Sequence, residues 1–373
     1  MGNKNLHNAK EARLDEFYTE LISVESEVRF YRKHFKDAVV FCNCDDPFES
    51  NFFKYFALNF NRLGLKRLIA TCYKGSPFIG TQLSWLDGYD ASFEFNAWAR
   101  KKAYKIIINE VPDVNGDGAI DMADVEWLIK NGDNVLTELE GDGDFRSDEC
   151  LSLMDECDIV CTNPPFSLFR EYIRLLVERN KKFLIIGSQN SITYKEVFPL
   201  LKNNRVWLGY KSGDMAFRVP SYFEPRATRY WQDETGQKWR SLGNICWYTN
   251  LDHKKRHEEI DLYKKYSPDE YPKYDNYDAI EVSRVAEIPR DYEGWMGVPI
   301  TFMDKYNPDQ FEIIGMAKRG AGDPALRSKV YTKGDYPNYS DLNATPTLWV
   351  DGKLKNTYPR ILIRNRNAEK RSD

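Results

Sequence analysis

The stretch Cys157-Asp-Ile-Val-Cys-Thr-Asn-Pro-Pro-Phe-Ser-Leu-Phe-Arg-Glu-Tyr-Ile173 decides how the chain is read. "CDIVCT" has the short apolar run of a buried strand, and "SLFREYIRLLVERN" (Ser167–Asn180) has apolar residues at helical spacing. Asn163-Pro164-Pro165-Phe166 lies between them. Each proline fixes its own φ near −65° and pushes its predecessor toward extended geometry, so the exit from the strand is rigid. The Asn163 amide oxygen and the Pro164 carbonyl can then accept from one planar amino group, keeping its lone pair on nitrogen, while Phe166 offers a face for stacking. That is a clamp for the exocyclic amine of a base taken out of its helix. The competing reading is a proline-stiffened loop that starts a helix.

On both sides of this stretch, strand and helix patterns alternate. "AVVFCN", "KRLIATCY", "AYKIIINEV", "KFLIIGS" and "RVWLGY" read as strands; "LDEFYTELISVESEVRFYRKHF", "NFFKYFALNFNRLG" closed by Gly64, and "ITYKEVFPLLKNN" read as helices. The pattern predicts an α/β fold with a doubly wound, mostly parallel sheet, whose ligands lie beyond the carboxyl ends of the strands. After Tyr210 the alternation fades: Lys211–Asn244 mixes Arg, Lys and aromatic residues and reads as a long irregular loop, before "ICWYTNL" supplies a last strand. A catalytic domain over residues 1–250 and a recognition region over 251–373 are expected.

The chain has 373 residues, enough for a large core, and a net charge of −4. That balance hides an asymmetry, because residues 113–158 hold fifteen Asp and Glu against Lys130 and Arg146. The remainder is basic; from Ile313 onward twelve Lys and Arg face six Asp and Glu. A basic body suits a polyanion, and a solvated surface equally. Apolar runs are too short for a membrane span or a signal-peptide core, so a cytoplasmic protein without membrane attachment is expected. The seven cysteines show no paired CxxC spacing and read as reduced, buried thiols.

The acidic segment contains "DVNGDGAIDMAD". Asp113, Asn115, Asp117, the Ala119 carbonyl, Asp121 and Asp124 occupy ligand positions of a calcium loop, with Gly118 at the sharp turn. A structural Ca²⁺ site is expected here; the alternative is an Asx-rich loop that starts the helix "MADVEWLIK" without metal. No histidine sits in a catalytic grouping.

The NPPF tetrapeptide, together with "FYT", "VVFCNCDDPFESNFFKYFALNF", "GDGDFRSDE", "KKFLIIGSQNSITYKEVFPL" and "GVPITFMDKYNPDQFEIIG", resembles the adenine-specific DNA methyltransferases of the EcoRI-methylase type over most of the chain. The resemblance implies a Rossmann-like methyltransferase fold, S-adenosyl-L-methionine as cofactor, double-stranded DNA as partner, a C-terminal DNA-recognition region and a monomer. It implies Asn163, Pro164, Pro165 and Phe166 as the catalytic set. Phe17, Tyr18 and Thr19 would help hold the methionine end of the cofactor, with Asn43 and Asp45 or Asp46 in place of the usual glycine-rich turn. Asp144 would take the cofactor's adenine amine and Phe145 would pack on its ring. The strand "KRLIATCY" lacks the terminal acid that usually binds the ribose, whose ligand stays unassigned. Two rival readings are a methyltransferase of glutamine side-chain amides, which also use NPP clamps, and a non-enzymatic calcium-dependent binding module.

Overall fold

The computed structural model describes residues 18–44, 47, 50–73, 103–132, 135–219 and 223–370. Its large sheet contains ten strands: β1 (Tyr18–Thr19), β2 (Val39–Cys42), β3 (Arg67–Thr71), β4 (Tyr104–Ile108), β5 (Leu136–Glu138), β6 (Ile159–Thr162), β7 (Lys182–Ser188), β8 (Trp207–Arg218), β9 (Tyr230–Gln232) and β10 (Lys238–Thr249). They run in the order β1-β8-β10-β7-β6-β2-β3-β4-β5, with β9 on β10. The heart, β7-β6-β2-β3, is parallel, and its strands are nearly continuous apolar runs as burial on both faces demands. The flanks differ from a mostly parallel expectation: β4, β5 and β1 each join antiparallel.

Helices α1 (Leu21–Val28), α2 (Asn51–Leu58), α3 (Phe60–Leu63), α4 (Met122–Asn131), α5 (Asp148–Glu156) and α6 (Phe169–Glu178) accompany this sheet. Ser50 caps α2 by accepting from the Phe53 amide, and Gly64, at φ +65°, ends α3 in the left-handed conformation that glycine adopts without strain. On α6, Phe169, Tyr172, Ile173 and Leu176 are buried at the helical spacing visible in the sequence. Gly187 lets this helix approach the sheet, since a Cβ there would lie 2.5 Å from the Phe169 ring.

The chain divides into two compact units, Met1–Gly187 with Lys211–Leu251, and Ser188–Tyr210 with Asp252–Asp373. In the second, β11 (Ile280–Glu281), β12 (Met296–Val298), β13 (Phe311–Ala317) and β16 (Arg360–Asn365) form a sheet in the order β11-β12-β16-β13. A separate pair joins β14 (Thr347–Val350) and β15 (Lys353–Asn356). Its sheet buries an ion pair: the Arg360 guanidinium donates to Glu281 at 2.6 Å, and the Tyr274 hydroxyl donates to the same carboxylate. The helix expected over "ITYKEVFPLLKNN" is only the short α7 (Phe198–Lys202), preceded by a 3₁₀ turn at Gln189–Thr193. Pro199 lacks an amide hydrogen and fits only the first turn, which pins the helix start there. A further short helix, α8 (Tyr339–Leu342), belongs to the same unit.

Lys211–Asn244 is the largest departure. It is not an irregular loop but two long strands, β8 and β10, with β9 folded onto β10. The period-2 signal is short: Met215, Phe217 and Val219 pack on the core at alternate positions, but Lys211 and Gly213 interrupt that face before them.

Candidate active site

Two parallel strands fix where the site opens. The Asp158 carboxylate accepts from the Val39 amide at 2.8 Å, and the Asp158 amide donates to the Val39 carbonyl at 2.9 Å. With Val40 opposite Ile159 and Phe41 opposite Val160, continuing that register sets Asn43 level with Thr162 and Asn163 one residue beyond. From β2 the chain proceeds to β3 on one side, and from β6 to β7 on the other. The gap between β2 and β6 is therefore the topological switch point, where ligands of open α/β sheets bind.

Asn43 and Asn163 are both buried, 3 % and 6 % exposed. The Tyr172 hydroxyl on α6 donates to Asn43 Oδ1, and burial pushes that phenol well above its ordinary pKa, so it remains a neutral donor. The Tyr172 ring meets Phe145 edge to face at 5.0 Å. Phe145 ends the 141–145 loop, which packs against the end of β3: Gly143 has φ +76°, and a Cβ there would lie 2.2 Å from the Cys72 carbonyl oxygen. Thus Asn43, Phe145 and Tyr172 form one connected group.

Asp144 is gripped by Arg146, whose Nε and Nη2 donate to its two oxygens at 2.8 and 2.7 Å, while Nη1 reaches Glu171 at 3.1 Å. The Asp144 hydrogen bond raises the arginine's pKa and keeps it charged. The Arg146 amide also donates to Asp144 at 2.9 Å, so the carboxylate is fixed in orientation by one neighbouring residue.

At the exit of β6 the 3₁₀ turn Phe166–Leu168 closes by a 2.9 Å bond from the Leu168 amide to the Pro165 carbonyl, so the Pro164 carbonyl is not the acceptor of that turn. The Phe166 ring meets Phe217 of β8 at 6.4 Å, nearly perpendicular. Phe217 is the register partner of Thr19 in β1, and Asn51 Nδ2 donates to the Thr19 carbonyl at 2.7 Å. Thr19 and Phe166 are thereby joined through a single strand.

Thr19 Oγ1 and Asn43 Nδ2 are buried and have no hydrogen-bond partner among the described residues. Orphaned buried polar atoms are costly. Both atoms can donate, and a carboxylate such as that at the methionine end of S-adenosylmethionine has the acceptors they lack, so their chemistry fits that group. Phe17, Asp45 and Asp46 lie outside the described residues, and only the backbone of Tyr18 is described. Tyr172, Arg146 and Phe217 were not singled out from the sequence. Tyr172 had one visible signal, a phenol at a core position of α6 whose hydroxyl needs a partner.

The calcium expectation finds no support among the described residues. Asp113 accepts from the Gly116 and Gly118 amides at 2.8 and 2.7 Å, Asn115 from Asp117, and Asp117 from Ala119. Asp121 caps α4, and Asp124 closes a reciprocal capping box by accepting from the Asp121 amide. Among the described residues no group of three or more His, Cys, Asp or Glu is placed to hold a metal. The carboxylates of Asp113, Asp117, Asp121 and Asp124 serve backbone amides in Asx turns and a helix cap, as does the Asn115 amide oxygen; Ala119 contributes its amide to the same network.

The model of the family described as adenine-specific methyltransferase EcoRI matches residues 5–366. The chain belongs to that family. It is 45 % identical over 321 residues to the type II methyltransferase M.EcoRI of Escherichia coli, covering 85 % of this chain and 90 % of that one. It is 32 % identical over 367 residues to M.MgeORF184P of Mycoplasma genitalium and likewise to M.MpnI of Mycoplasma pneumoniae, each covering 96 % of this chain and 98 % of the relative. No solved structure matches it. The chain is an adenine-specific type II DNA methyltransferase, and the family implies S-adenosylmethionine as methyl donor. No helix among the described residues is long and apolar enough to cross a membrane.

Proposed function

We propose that the chain methylates the exocyclic N6 amine of an adenine swung out of double-stranded DNA, with Asn163, Pro164, Pro165 and Phe166 as the catalytic set. The observation that carries this reading is the emergence of Asn163 from β6 beside Asn43 from β2, at the switch point of the parallel heart. The bound cofactor supplies a methyl group already activated by the positive charge on sulfur.

The chain's own part is positioning and polarity. Asn163 Oδ1 and the Pro164 carbonyl accept the two amine hydrogens, leaving the nitrogen lone pair to attack. Phe166 stacks on the base, its ring braced by Phe217. Thr19 and Asn43 hold the polar end of the cofactor, Tyr172 fixes the Asn43 rotamer, and Asp144 with Phe145 holds its adenine. Asp45 or Asp46 pairs with the methionyl ammonium. The amine proton leaves after transfer, so no strong base is needed. Residues 251–373 read the target sequence.

The test is incubation with isotopically labelled cofactor and unmethylated duplex DNA, then digestion to nucleosides. Label in N6-methyl-2′-deoxyadenosine is expected. Label confined to a peptide glutamine amide would replace this reading with the protein-amide alternative.

A further inference from the structure

The side chain just beyond β2 has two ends that the fold treats differently. Asn43 is buried, and its amide carries an oxygen and a nitrogen of nearly the same size, so packing alone does not choose which of them faces the switch point. Hydrogen bonding does choose. The Tyr172 hydroxyl donates to Asn43 Oδ1, and the Cys44 thiol donates to the same oxygen at 3.6 Å. Two donors converge on Oδ1, and the reversed amide would turn its own N–H groups toward both of them. Nδ2 is left on the other side of the amide, buried and without a hydrogen-bond partner among the described residues.

Tyr172 can impose this orientation because it is itself held. It lies near the start of α6, on the buried stripe with Phe169, Ile173 and Leu176, and its ring meets Phe145 edge to face at 5.0 Å. Burial pushes its phenol well above the ordinary pKa, so the hydroxyl keeps the proton it donates. Helix α6 follows directly on the 3₁₀ turn that leaves Asn163-Pro164-Pro165, so one segment supplies both the proposed catalytic set and the phenol. An outward Nδ2 offers hydrogens and no lone pair. It is complementary to a carboxylate, which only accepts, and has nothing to give an ammonium, which only donates.

We infer that Tyr172 is a positioning residue that sets the polarity of the cofactor site: by occupying Asn43 Oδ1 it turns Nδ2 toward the methionine carboxylate of S-adenosylmethionine and makes the site selective for a cofactor carrying that carboxylate. The inference rests on the assignment of Asn43 to the polar end of the cofactor and adds the residue that gives this contact its direction. Without the hydroxyl only the Cys44 thiol, a weak donor, opposes the reversed amide, whose oxygen would face the carboxylate and repel it.

The test compares two ligands that differ by one group, S-adenosylmethionine and its decarboxylated form, each titrated calorimetrically into the full chain without DNA. Tyr172→Phe keeps the ring that packs on Phe145. It is expected to weaken S-adenosylmethionine about tenfold, the scale of one hydrogen bond to a charged group, and to change the decarboxylated ligand less than about twofold. A purely structural role would weaken both alike. In an Asn43→Ala background, where the ratio of the two affinities is already lowered, adding Tyr172→Phe is expected to change it no further. Should Tyr172→Phe not fold, wild-type protein isotopically labelled at asparagine gives a second readout: the Asn43 side-chain amide resonances are expected to move with S-adenosylmethionine far more than with the decarboxylated ligand. Resonances that respond equally to both ligands, or to neither, overturn the inference. Equal losses for the two ligands in Tyr172→Phe, or no loss for either, also overturn it and leave the assignment of Asn43 standing. An Asn43→Ala variant that keeps the wild-type ratio removes that assignment, and the inference with it, whereas the methyl transfer itself is decided separately by the nucleoside digest.

Discussion

Replacing Gly143 by alanine tests whether the 141–145 loop holds the cofactor through its packing on β3. Two penalties add at this position. The backbone sits at φ +76°, where a side chain costs about 1–2 kcal/mol. The new Cβ would also fall 2.2 Å from the Cys72 carbonyl oxygen and 3.0 Å from its carbon. That carbonyl cannot simply swing aside, because the Cys72 amide is bonded to the Tyr104 carbonyl at 2.9 Å, a contact with a net value of about 1 kcal/mol. The expected loss is about 2–3 kcal/mol, or roughly 5–10 °C in melting temperature. The functional effect follows from the chain of contacts: as the loop shifts, Phe145 leaves Tyr172 and Tyr172 loosens on Asn43. Cofactor affinity measured by calorimetry should therefore fall by about tenfold, roughly the 1.4 kcal/mol expected from one displaced packing group. Gly141→Ala is the matched control, since no atom lies within 4 Å of a Cβ there. If the two variants melt together and bind cofactor alike, the loop is not held as described.

Other perturbations probe separate parts. Asn163→Ala should abolish turnover while leaving DNA and cofactor binding near wild type, because its acceptor is used as the amine changes geometry; more than about a tenth of wild-type kcat in a steady-state assay would remove it from the clamp. Asp124→Ala should destabilise by about 1 kcal/mol through loss of the capping box, and millimolar Ca²⁺ should leave the wild-type melting curve unmoved; a calcium-dependent rise would restore the metal reading. The Asp124 carboxyl is held below its usual pKa by the Asp121 and Val114 amides, so its contribution is present above the unfolded carboxylate pKa and fades as pH falls through the depressed folded value. Arg360→Met should cost about 3 kcal/mol or more by leaving Glu281 buried and uncompensated, whereas replacing both partners with apolar residues should recover much of that loss in chemical denaturation.

Local signals were readable where they repeat over several residues. The apolar runs at Val39–Cys42 and Ile159–Thr162, the i, i+3, i+4, i+7 spacing of α6 and the glycine stop at Gly64 all give elements where the sequence implies them. The partnerships that build the site were not readable, because they join residues far apart. Tyr172 lies 129 positions from Asn43, and Phe166 meets Phe217 only because β8 returns to the sheet. The ribbon is less legible for a different reason: Met215, Phe217 and Val219 alternate onto the core, but the run is short and Lys211 and Gly213 at the preceding positions of that face interrupt it. The calcium loop shows the limit of spacing as evidence. The same Asx-rich pattern that ligates a cation also satisfies the amides before a helix, and here the oxygens serve those amides.

The path of the chain between its two units restricts how the protein can be recombined. Residues 188–210 belong to the second unit, where Lys202 Nζ donates to the Ile314 carbonyl at 2.6 Å, His253 Nε2 donates to the Leu208 carbonyl at 2.9 Å, and the Arg256 guanidinium lies 3.9 Å from the Trp207 ring centroid. A fragment that begins at Asp252 therefore lacks one segment of its own unit. A gene fusion with a single junction there would separate residues 188–210 from the rest of their unit, and grafting the second unit from a relative requires three coordinated junctions, at 187/188, 210/211 and 251/252. Lineages of this enzyme should accordingly diverge by point substitution within an intact chain, while block exchange of the C-terminal half should yield insoluble hybrids.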